Sequence, residues 1–344
     1  MVTTRTRLAL AAATTLATLS VVTSTTAAPT AAAAAPSPPR ALNWVAMGDS
    51  YSAGAFVRPW ATEDGCGRSA QSYPQQAARQ LRVRLTDVTC SAADVRGGLL
   101  EQQTDMTGPP SVPPPGGWPA KPAQIAALSA GTDLVTIGIG GNSIGFKEIV
   151  EQCVAQGVAA FGMGKPCTSY YTTGKGASAL NDRFASLEAD LGTLMQAVRA
   201  RAPQARVALV GYPALVDDSA GCRWGSWQQF GTAAKGDLPW LDSMERRVNT
   251  VLREQAGKAG AAYVDTYASS AGHGVCASGE ERWMYGIKDE LTGPGDQSDE
   301  PSILCRAIPS PGEACTLLHP NLRGTTHQAE LVTRALVGLG ASRA

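Results

Sequence analysis

The amino-acid sequence predicts an α/β protein: a single-domain, doubly wound sheet of about five parallel strands with helices on both faces. Short apolar runs typical of buried strands alternate with longer segments of helical periodicity, which favours parallel strands joined by helices. A length of 344 residues with 44% hydrophobic residues is sufficient for one large core. Glycines and polar residues follow several apolar runs, as they do where parallel strands end at a site.

Residues 1–38 have the features of a secretory signal peptide followed by an Ala/Pro-rich tract. Arg5 and Arg7 precede an uncharged apolar run from Leu8 to about Val22, and small residues follow from Ala27 onward. The run is diluted by threonine and is shorter than the ~20 residues that a membrane span needs. We therefore expect export, with residues 39–344 forming the mature domain.

The first half of the domain contains two predicted strands. The apolar run Leu42–Met47 stops at Gly48 and predicts the first strand. A helix is predicted from Ser72, with apolar residues four apart on one face: Ala77, Leu81 and Leu85. A short strand at Thr86–Thr89 follows. The Gly/Pro-rich tract Gly108–Pro122 is predicted to be a surface loop, because the strand and helix pattern resumes directly after it.

The second half continues the alternation. A short helix is predicted at Ala123–Ala130, and two helices are expected after Asn142. The second of these has an apolar stripe with steps of four and three residues, which is typical of an amphipathic helix. The remaining predicted strands are Asp133–Ile139, Arg206–Tyr212 and Ala261–Tyr267, and the remaining predicted helices are Ala177–Ala202, Trp240–Gly257 and Leu322–Leu339.

Charge and cysteine content limit the classes of partner. The formal net charge is zero and no basic stripe is present, so we expect no nucleic-acid partner. Eight cysteines favour an oxidising compartment, and no cysteine or histidine cluster has the spacing of a metal site. Many disulfide pairings are open to a chain with eight cysteines, and we favour pairing of sequence neighbours. The favoured pairs are Cys66 with Cys90, Cys153 with Cys167, Cys222 with Cys276, and Cys305 with Cys315.

Three segments at predicted strand ends converge on one crevice of a parallel sheet: Gly48-Asp49-Ser50, Cys90-Ser91-Ala92 and Gly141-Asn142. Ser50 is the candidate nucleophile, and a serine needs a base to accept its proton. Of the three histidines, we assign His273 and His327 structural roles. His319 stands in a loop just before the last helix and is the candidate base.

These blocks together resemble the GDSL/SGNH hydrolase family. GDSYSAG surrounds Ser50, GGN ends at Asn142, and HPN begins at His319. The cysteine pattern and the phrases SYP, CSAA, GYP and GHGVC resemble the secreted actinobacterial lipases and esterases of that family. The resemblance implies an SGNH-hydrolase-like domain, a carboxylic-ester hydrolase of lipase or esterase type, and no cofactor. We expect a monomer that acts on a small-molecule or lipid ester, with a lipid–water interface as a possible site of action.

The resemblance also implies residue roles. Ser50 would be the nucleophile and His319 the general base, while the Ser50 N–H, the Ala92 N–H and the Asn142 side chain would form the oxyanion hole. The sequence departs from the family pattern at Ala92, where a glycine is usual. It also has Thr316 where many members carry the aspartate that orients the histidine. We therefore predict a Ser-His dyad in which the Thr316 backbone carbonyl orients His319.

Other assignments remain open from the sequence. Ser143 lies in a G-x-S-x-G motif after a strand and could be an α/β-hydrolase nucleophile, with Asp217 or Asp265 and His319 as partners. The same SGNH site could serve a phospholipase or a carbohydrate deacetylase, and a catalytically silent secreted binding module is an alternative of another class.

Two further groups of residues have alternative interpretations. An aromatic group could line an acyl-chain mouth or pack its loop against the core: Trp224, Trp227, Phe230 and Trp240. An acidic loop could bind Ca²⁺, although its spacing is not that of an EF-hand and favours a solvated loop: Asp289, Glu290, Asp296, Asp299 and Glu300.

Overall fold

A five-stranded parallel sheet forms the centre of the protein. The computed structural model describes residues 40–106, 113–216, 221–291 and 314–343. The strands of the sheet are β1 (Leu42–Gly48), β2 (Val83–Asp87), β3 (Leu134–Gly138), β4 (Arg206–Val210) and β5 (Ala262–Val264). They lie in the order β2-β1-β3-β4-β5, and each neighbouring pair is parallel. The predicted α/β fold class is confirmed.

Helices connect the strands and cover the sheet. They are α1 (Ser50–Ala53), α2 (Tyr73–Gln80), α3 (Phe146–Ala159), α4 (Pro166–Thr172), α5 (Ala177–Arg201), α6 (Leu238–Lys258) and α7 (Leu322–Gly338). A small antiparallel pair, β6 (Lys288–Asp289) and β7 (Ala314–Cys315), precedes α7. The described residues from Ala41 onward belong to one compact unit.

The alternation of side chains along β1 explains why both faces of the sheet are covered. Trp44 and Ala46 are buried on the face that packs against α2 and α7. Val45 and Met47 point to the opposite face, where they join the larger core formed with α3, α5 and α6. Because both faces of the sheet are covered, β1 is apolar from Trp44 to Met47 without the alternation of polar residues that a one-sided strand shows.

Long periodic elements match their predictions, and weaker signals do not. Helices α5, α6 and α7 lie within two residues of the predicted bounds, whereas Ala123–Ala130 contains only a 3₁₀ turn at Gln124–Ala127. The prediction that places Leu85 on the first long helix is wrong, because α2 ends at Gln80 and Leu85 lies in β2. The strand predicted at Thr86–Thr89 begins three residues earlier, at Val83, with the alternating exposure of an edge strand. Two helices, α3 and α4, precede α5, where one was expected.

Disulfides join three of the predicted neighbour pairs, Cys66–Cys90, Cys153–Cys167 and Cys222–Cys276. Cys315 is also disulfide-bonded, but Cys305 lies outside the described residues, so the fourth pair stays a prediction. The segment predicted to be a signal peptide is likewise outside them. Among the helices of the described ranges, none has the length and apolar character that a membrane crossing requires.

Candidate active site

The end of β1 forms a tight turn that presents Ser50. Gly48 has a φ of +151°, and a Cβ atom there would lie 2.4 Å from both the Gly138 carbonyl oxygen and Ser52 Oγ. Only glycine fits this turn. Asp49 caps the one-turn helix α1 by accepting a hydrogen bond from the Tyr51 N–H at 3.0 Å. Ser50 is therefore the first residue of a short helix whose backbone direction is fixed by the strand before it.

A buried glutamine holds the same turn from the side. Gln124 Oε1 accepts a hydrogen bond from the Gly48 N–H at 2.7 Å, and Gln124 Nε2 donates to the Gly48 carbonyl at 2.9 Å. The Cys90 N–H donates to the same carbonyl at 3.0 Å. The turn that carries Ser50 is thus tied to the segment that carries Ala92.

His319 lies directly against Ser50. Its Nε2 is 2.6 Å from Ser50 Oγ, and its Nδ1 is 2.7 Å from the Thr316 carbonyl oxygen and 3.2 Å from the Leu317 carbonyl oxygen. A carbonyl oxygen only accepts, so the proton of a neutral ring is assigned to Nδ1 and Nε2 is left to accept from the serine. Burial lowers the pKa of His319 to about 4, against the opposing effect of the two carbonyls. The imidazole is therefore neutral at pH 7.

The loop before His319 owes its shape to two left-handed residues. Leu317 and Leu318 have φ values of +41° and +66°, and this backbone turns the Thr316 carbonyl back toward the ring. Thr316 is buried and its hydroxyl donates to the Gly286 carbonyl at 2.9 Å. The Tyr51 hydroxyl donates to the Leu318 carbonyl at 2.6 Å. These contacts join the histidine loop to α1, so that Ser50 and His319 are held as one unit.

Ala92 and Asn142 lie beside Ser50 in the same cavity. Asn142 Nδ2 donates one hydrogen bond to the Ala93 carbonyl at 2.9 Å, which orients the amide and leaves its second hydrogen for a ligand. Ala92 has a φ of +65°, in the left-handed region where the family pattern has glycine. The preceding residue is held by Gln103, whose Nε2 donates to the Ser91 carbonyl at 2.7 Å.

A tyrosine links the Ser50 turn to the Asn142 turn. The Tyr212 hydroxyl donates to Asp49 Oδ2 and accepts a hydrogen bond from the Gly141 N–H at 2.8 Å. Burial raises the pKa of Asp49 to about 6, although hydrogen bonds from Tyr212 and from the backbone act in the opposite direction. Burial and the nearby Asp49 carboxyl raise the pKa of Tyr212 as well, so its hydroxyl keeps its proton and remains a donor.

An apolar pocket opens beside Ser50 and His319, with about 640 Å³ of empty space including its opening to solvent. Its apolar lining comes mainly from α3, α6 and the segment after β4: Ile144, Phe146, Ile149, Leu215, Leu241, Met244 and Val248. A second cavity also reaches Ser50 and His319 and adds four charged side chains, Asp94, Asp105, Lys147 and Glu148. The site therefore joins an apolar compartment to a polar one at the serine.

The aromatic group that could form an acyl-chain mouth lies elsewhere. Phe230 is buried in the core, Trp227 packs against it, and Trp240 stacks on Tyr171 with ring centroids 5.2 Å apart. Trp224 is exposed and belongs to a different surface. None of the four lines the apolar pocket. Trp227, Phe230 and Trp240 therefore follow the alternative in which the aromatic residues pack against the core, and the pocket walls come from α3 and α6.

Comparison with known proteins identifies the family. The model of the GDSL-like lipase/acylhydrolase family matches residues 46–326, a range that includes Ser50, Asn142 and His319. The chain belongs to this family. It is similar to lipase 2 of Streptomyces coelicolor, with 34% identity over 296 residues that cover 84% of each protein. Membership of the GDSL-like family and this relative make the chain a carboxylic-ester hydrolase.

Solved structures show the same fold. Phospholipase A1 from Streptomyces albidoflavus NA297 aligns with a TM-score of 0.60 and 23% identity, covering 86% of this chain and 99% of that one. The extracellular lipase from Streptomyces rimosus aligns with a TM-score of 0.54 and 22% identity, with the same two coverages. At these identities the likeness concerns the fold of the GDSL-like domain.

Ser143 does not have the surroundings of a nucleophile. Its Oγ accepts a hydrogen bond from the Val95 N–H at 3.2 Å, so it closes a loop. The chain has three histidines. His319 contacts Ser50, His327 Nε2 lies 2.8 Å from Ser269 Oγ, and His273 stacks on Trp283. The latter two positions agree with the structural roles predicted for them.

The acids considered as triad partners also lie apart from His319 where they are described. Asp265 pairs with Arg253 at 2.6 Å, and Asp217 lies outside the described residues. In the acidic loop, Asp289 pairs with Arg282 at 2.8 Å, while residues 296, 299 and 300 are outside the described ranges. Within those ranges, no group of three or more His, Cys, Asp or Glu side chains could hold a metal ion.

Gln124 and Tyr212 are two residues of the GDSL-like site that sequence motifs do not predict. Their partners are 76 and 163 residues away, so no local motif marks them. Tyr212 does stand directly after the β4 region, in the phrase GYP. Its position at the carboxyl end of a central strand is the signal that could have identified it.

Proposed function

We propose that this hydrolase cleaves lipid or other hydrophobic acyl esters outside the cell, through a dyad of Ser50 and His319 and an acyl-enzyme. The observation that carries the proposal is the 2.6 Å contact between Ser50 Oγ and the unprotonated Nε2 of His319, beside an apolar pocket. Export is supported by the Arg-led apolar N-terminal segment and by disulfides, which persist in oxidising compartments.

The reaction begins with proton transfer from Ser50 to His319. Ser50 Oγ attacks the ester carbonyl carbon while Nε2 takes its proton, and the imidazolium that forms is stabilised by the Thr316 and Leu317 carbonyl oxygens. These oxygens replace the usual triad carboxylate. They fix the tautomer through the same kind of hydrogen bond. Because they carry only partial negative charge, they offset only part of the effect of burial, which lowers the pKa of His319.

The negative charge that develops on the carbonyl oxygen is met by three donors. They are the Ser50 N–H, the Ala92 N–H and the second hydrogen of Asn142 Nδ2. His319 then returns its proton to the leaving alcohol, and the Ser50 acyl ester remains. Water, deprotonated by His319, attacks this ester and releases the acid by the same sequence in reverse.

The pocket composition supports a long acyl chain. A chain of several methylenes would bury apolar surface against α3 and α6, at about 0.8 kcal/mol for each CH₂ removed from water. An acetyl group would use little of this surface. The polar cavity, with Lys147 and the carboxylates Asp94, Asp105 and Glu148, would accommodate the alcohol part of the ester.

Initial rates on aryl esters of increasing acyl length test the substrate class. We expect kcat/KM to rise from acetyl to medium chains, because each added methylene gains contact in the pocket. A phospholipid, a triglyceride and an acetylated sugar complete the panel. A maximum at acetyl, or hydrolysis of the acetylated sugar alone, would contradict the proposal and favour a deacetylase on the same site.

A further inference from the structure

A surface patch at the far end of α3 is formed by large apolar side chains. Val158, Phe161, Met163 and Trp224 expose 54%, 78%, 68% and 49% of their surface, and in the described ranges only Leu322 and Val337 are comparable large hydrophobic residues. Trp224 joins the others across the chain, since a Cβ atom on Gly162 would lie 2.6 Å from its ring. We call these four residues the apolar patch. An exposed cluster of this kind marks an interaction surface more often than a scatter of single residues does.

The backbone holds these side chains outward. Phe161 adopts a φ of +52°, a left-handed conformation that is unfavourable for an aromatic residue. The turn around it is closed by hydrogen bonds from the Phe161 N–H to the Val158 carbonyl at 3.0 Å and from the Gly162 N–H to the Gly157 carbonyl at 2.8 Å. The disulfide Cys153–Cys167 ties the two sides of this turn together. Presentation of Phe161 is therefore built into the local fold.

Trp224 is fixed with its polar group satisfied. Its Nε1 donates to the Thr232 carbonyl at 2.9 Å, and the Thr232 hydroxyl donates to the Val154 carbonyl at 3.0 Å. The ring thus needs no polar partner from outside, and its exposed face is apolar. Phe and Trp side chains anchored in this way are typical of surfaces that sit in the headgroup region of lipid.

The two described segments that carry the apolar patch contain basic but no acidic residues; Asp217 and Asp218, which precede the second segment, lie outside the described residues. No acidic residue occurs between Glu151 and Asp182, or in residues 221–236. These two segments expose four basic side chains: Lys165, Lys175, Arg223 and Lys235. The next acid, Asp237, is buried and accepts hydrogen bonds from the backbone N–H groups of α4 at 2.8 and 3.1 Å.

We propose that the apolar patch docks this enzyme on the surface of anionic lipid aggregates. The apolar side chains would enter the headgroup region while the lysine and arginine side chains meet lipid phosphates. Docking on lipid is useful to the enzyme only if the proposed lipid-ester function is right, so the inference rests on that function. Vesicle binding can nevertheless be measured independently of hydrolysis. Helix α3 connects the apolar patch to the site. Phe146 and Ile149 line the apolar pocket, and Val158 lies about 18 Å from Phe146 along the helix, at 1.5 Å per residue.

Vesicle co-sedimentation of the mature protein tests this proposal. Vesicles of phosphatidylcholine alone are compared with vesicles that also contain phosphatidylglycerol, at low and high salt. The variant F161N/M163S removes two patch side chains, with asparagine chosen because it tolerates the left-handed conformation. Val337→Ser on α7 is the matched control, because it removes an exposed valine outside the patch. Lys165→Glu tests the charge.

We expect the parent protein to bind the anionic vesicles more strongly, and less so at high salt. The double variant should bind at least about tenfold more weakly, as the loss of two inserted apolar side chains implies. Lys165→Glu should weaken binding to anionic vesicles only, and Val337→Ser should leave it unchanged. All variants should hydrolyse a water-soluble butyrate ester at the parental rate, because none touches the site.

Several results would overturn the proposal. No vesicle binding by the parent, or equal binding by the double variant with parental thermal unfolding, would exclude lipid docking by this surface. A dimer in sedimentation velocity that the double variant converts to monomer would assign the patch to a second copy of the chain. Failure of the proposed function appears separately, as absence of hydrolysis of the soluble ester by the parent protein.

Discussion

Replacing Asn142 with alanine removes the one side-chain donor of the proposed oxyanion hole. One hydrogen of Nδ2 is already used, at 2.9 Å from the Ala93 carbonyl oxygen, so the amide is oriented before substrate arrives. Such a preorganised donor acts on the transition state, and its loss lowers kcat by about 10²–10³-fold, or about 2.7–4 kcal/mol. We expect KM to change by less than about twofold, because the ground-state carbonyl gains little from the donor.

The same substitution also has a structural effect that must be separated from catalysis. The Ala93 carbonyl loses its partner, which should lower the free energy of unfolding by about 1 kcal/mol. Ser143→Ala is the matched control: it lies in the same turn and removes the acceptor of the Val95 N–H, bonded at 3.2 Å. It should cost similar stability while kcat stays within about twofold of the parent.

Initial rates on a soluble aryl butyrate give kcat and KM, and urea unfolding gives stability. Asn142→Asp adds a sharper comparison, because a carboxylate of the same shape would repel both the Ala93 carbonyl oxygen and the oxyanion. We expect it to be less active than Asn142→Ala. An Asn142→Ala variant with kcat within about tenfold of the parent would remove Asn142 from the oxyanion hole.

Three further predictions concern the supporting residues. His319 must be neutral to accept a proton, and burial lowers its pKa to about 4. We therefore expect kcat/KM to stay constant between pH 7 and about 5 and to fall as the pH drops through about 4. A pH–rate profile with its midpoint near 6.5 would contradict this. Tyr212→Phe removes the hydrogen-bonded link between Asp49 and Gly141. It should lower kcat by about tenfold with little change in KM, and lower the free energy of unfolding by about 1–3 kcal/mol. Steady-state rates and urea unfolding that both match the parent would refute this prediction. Ala92→Gly relieves the strain of the left-handed backbone at position 92, at a partly offsetting cost in backbone entropy. The variant should keep the parental kcat and gain about 1 kcal/mol or less in the free energy of unfolding, measured in urea. A large loss of activity would count against the view that only the backbone N–H of residue 92 is needed.

The strongly patterned parts of the fold could be predicted from the sequence. The apolar stripe of α5 can only indicate an amphipathic helix. The run that forms β1 is so apolar that it must be a buried element. The segment Leu81–Leu85 is different, because apolar residues four apart satisfy both a helical face and the alternation of a strand. Pairing with β1 decides in favour of the strand, and sequence spacing carries no information about that pairing.

The site could be predicted where its residues follow strands, since the parallel sheet brings those ends together. Ser50, Ala92 and Asn142 meet for this reason, and His319 joins them from the loop before α7. The walls of the apolar pocket could not be predicted. Met244 and Val248 carry the same apolar signal whether they face the core or a cavity, so only the packing of α6 shows that they line the pocket. The role of Trp224, Trp227, Phe230 and Trp240 could not be predicted for the same reason, because an aromatic side chain gives the same sequence signal in a core and in a pocket wall.

Mapping of a fluorophosphonate label tests the identity of the nucleophile most directly. Only a serine activated by a base reacts with this probe, and the label can be located by peptide mass analysis. We expect one label on Ser50 in the parent and in Ser143→Ala, and no label and no ester hydrolysis in Ser50→Ala. A label on Ser143, or hydrolysis that survives in Ser50→Ala and disappears in Ser143→Ala, would contradict the proposed dyad of Ser50 and His319.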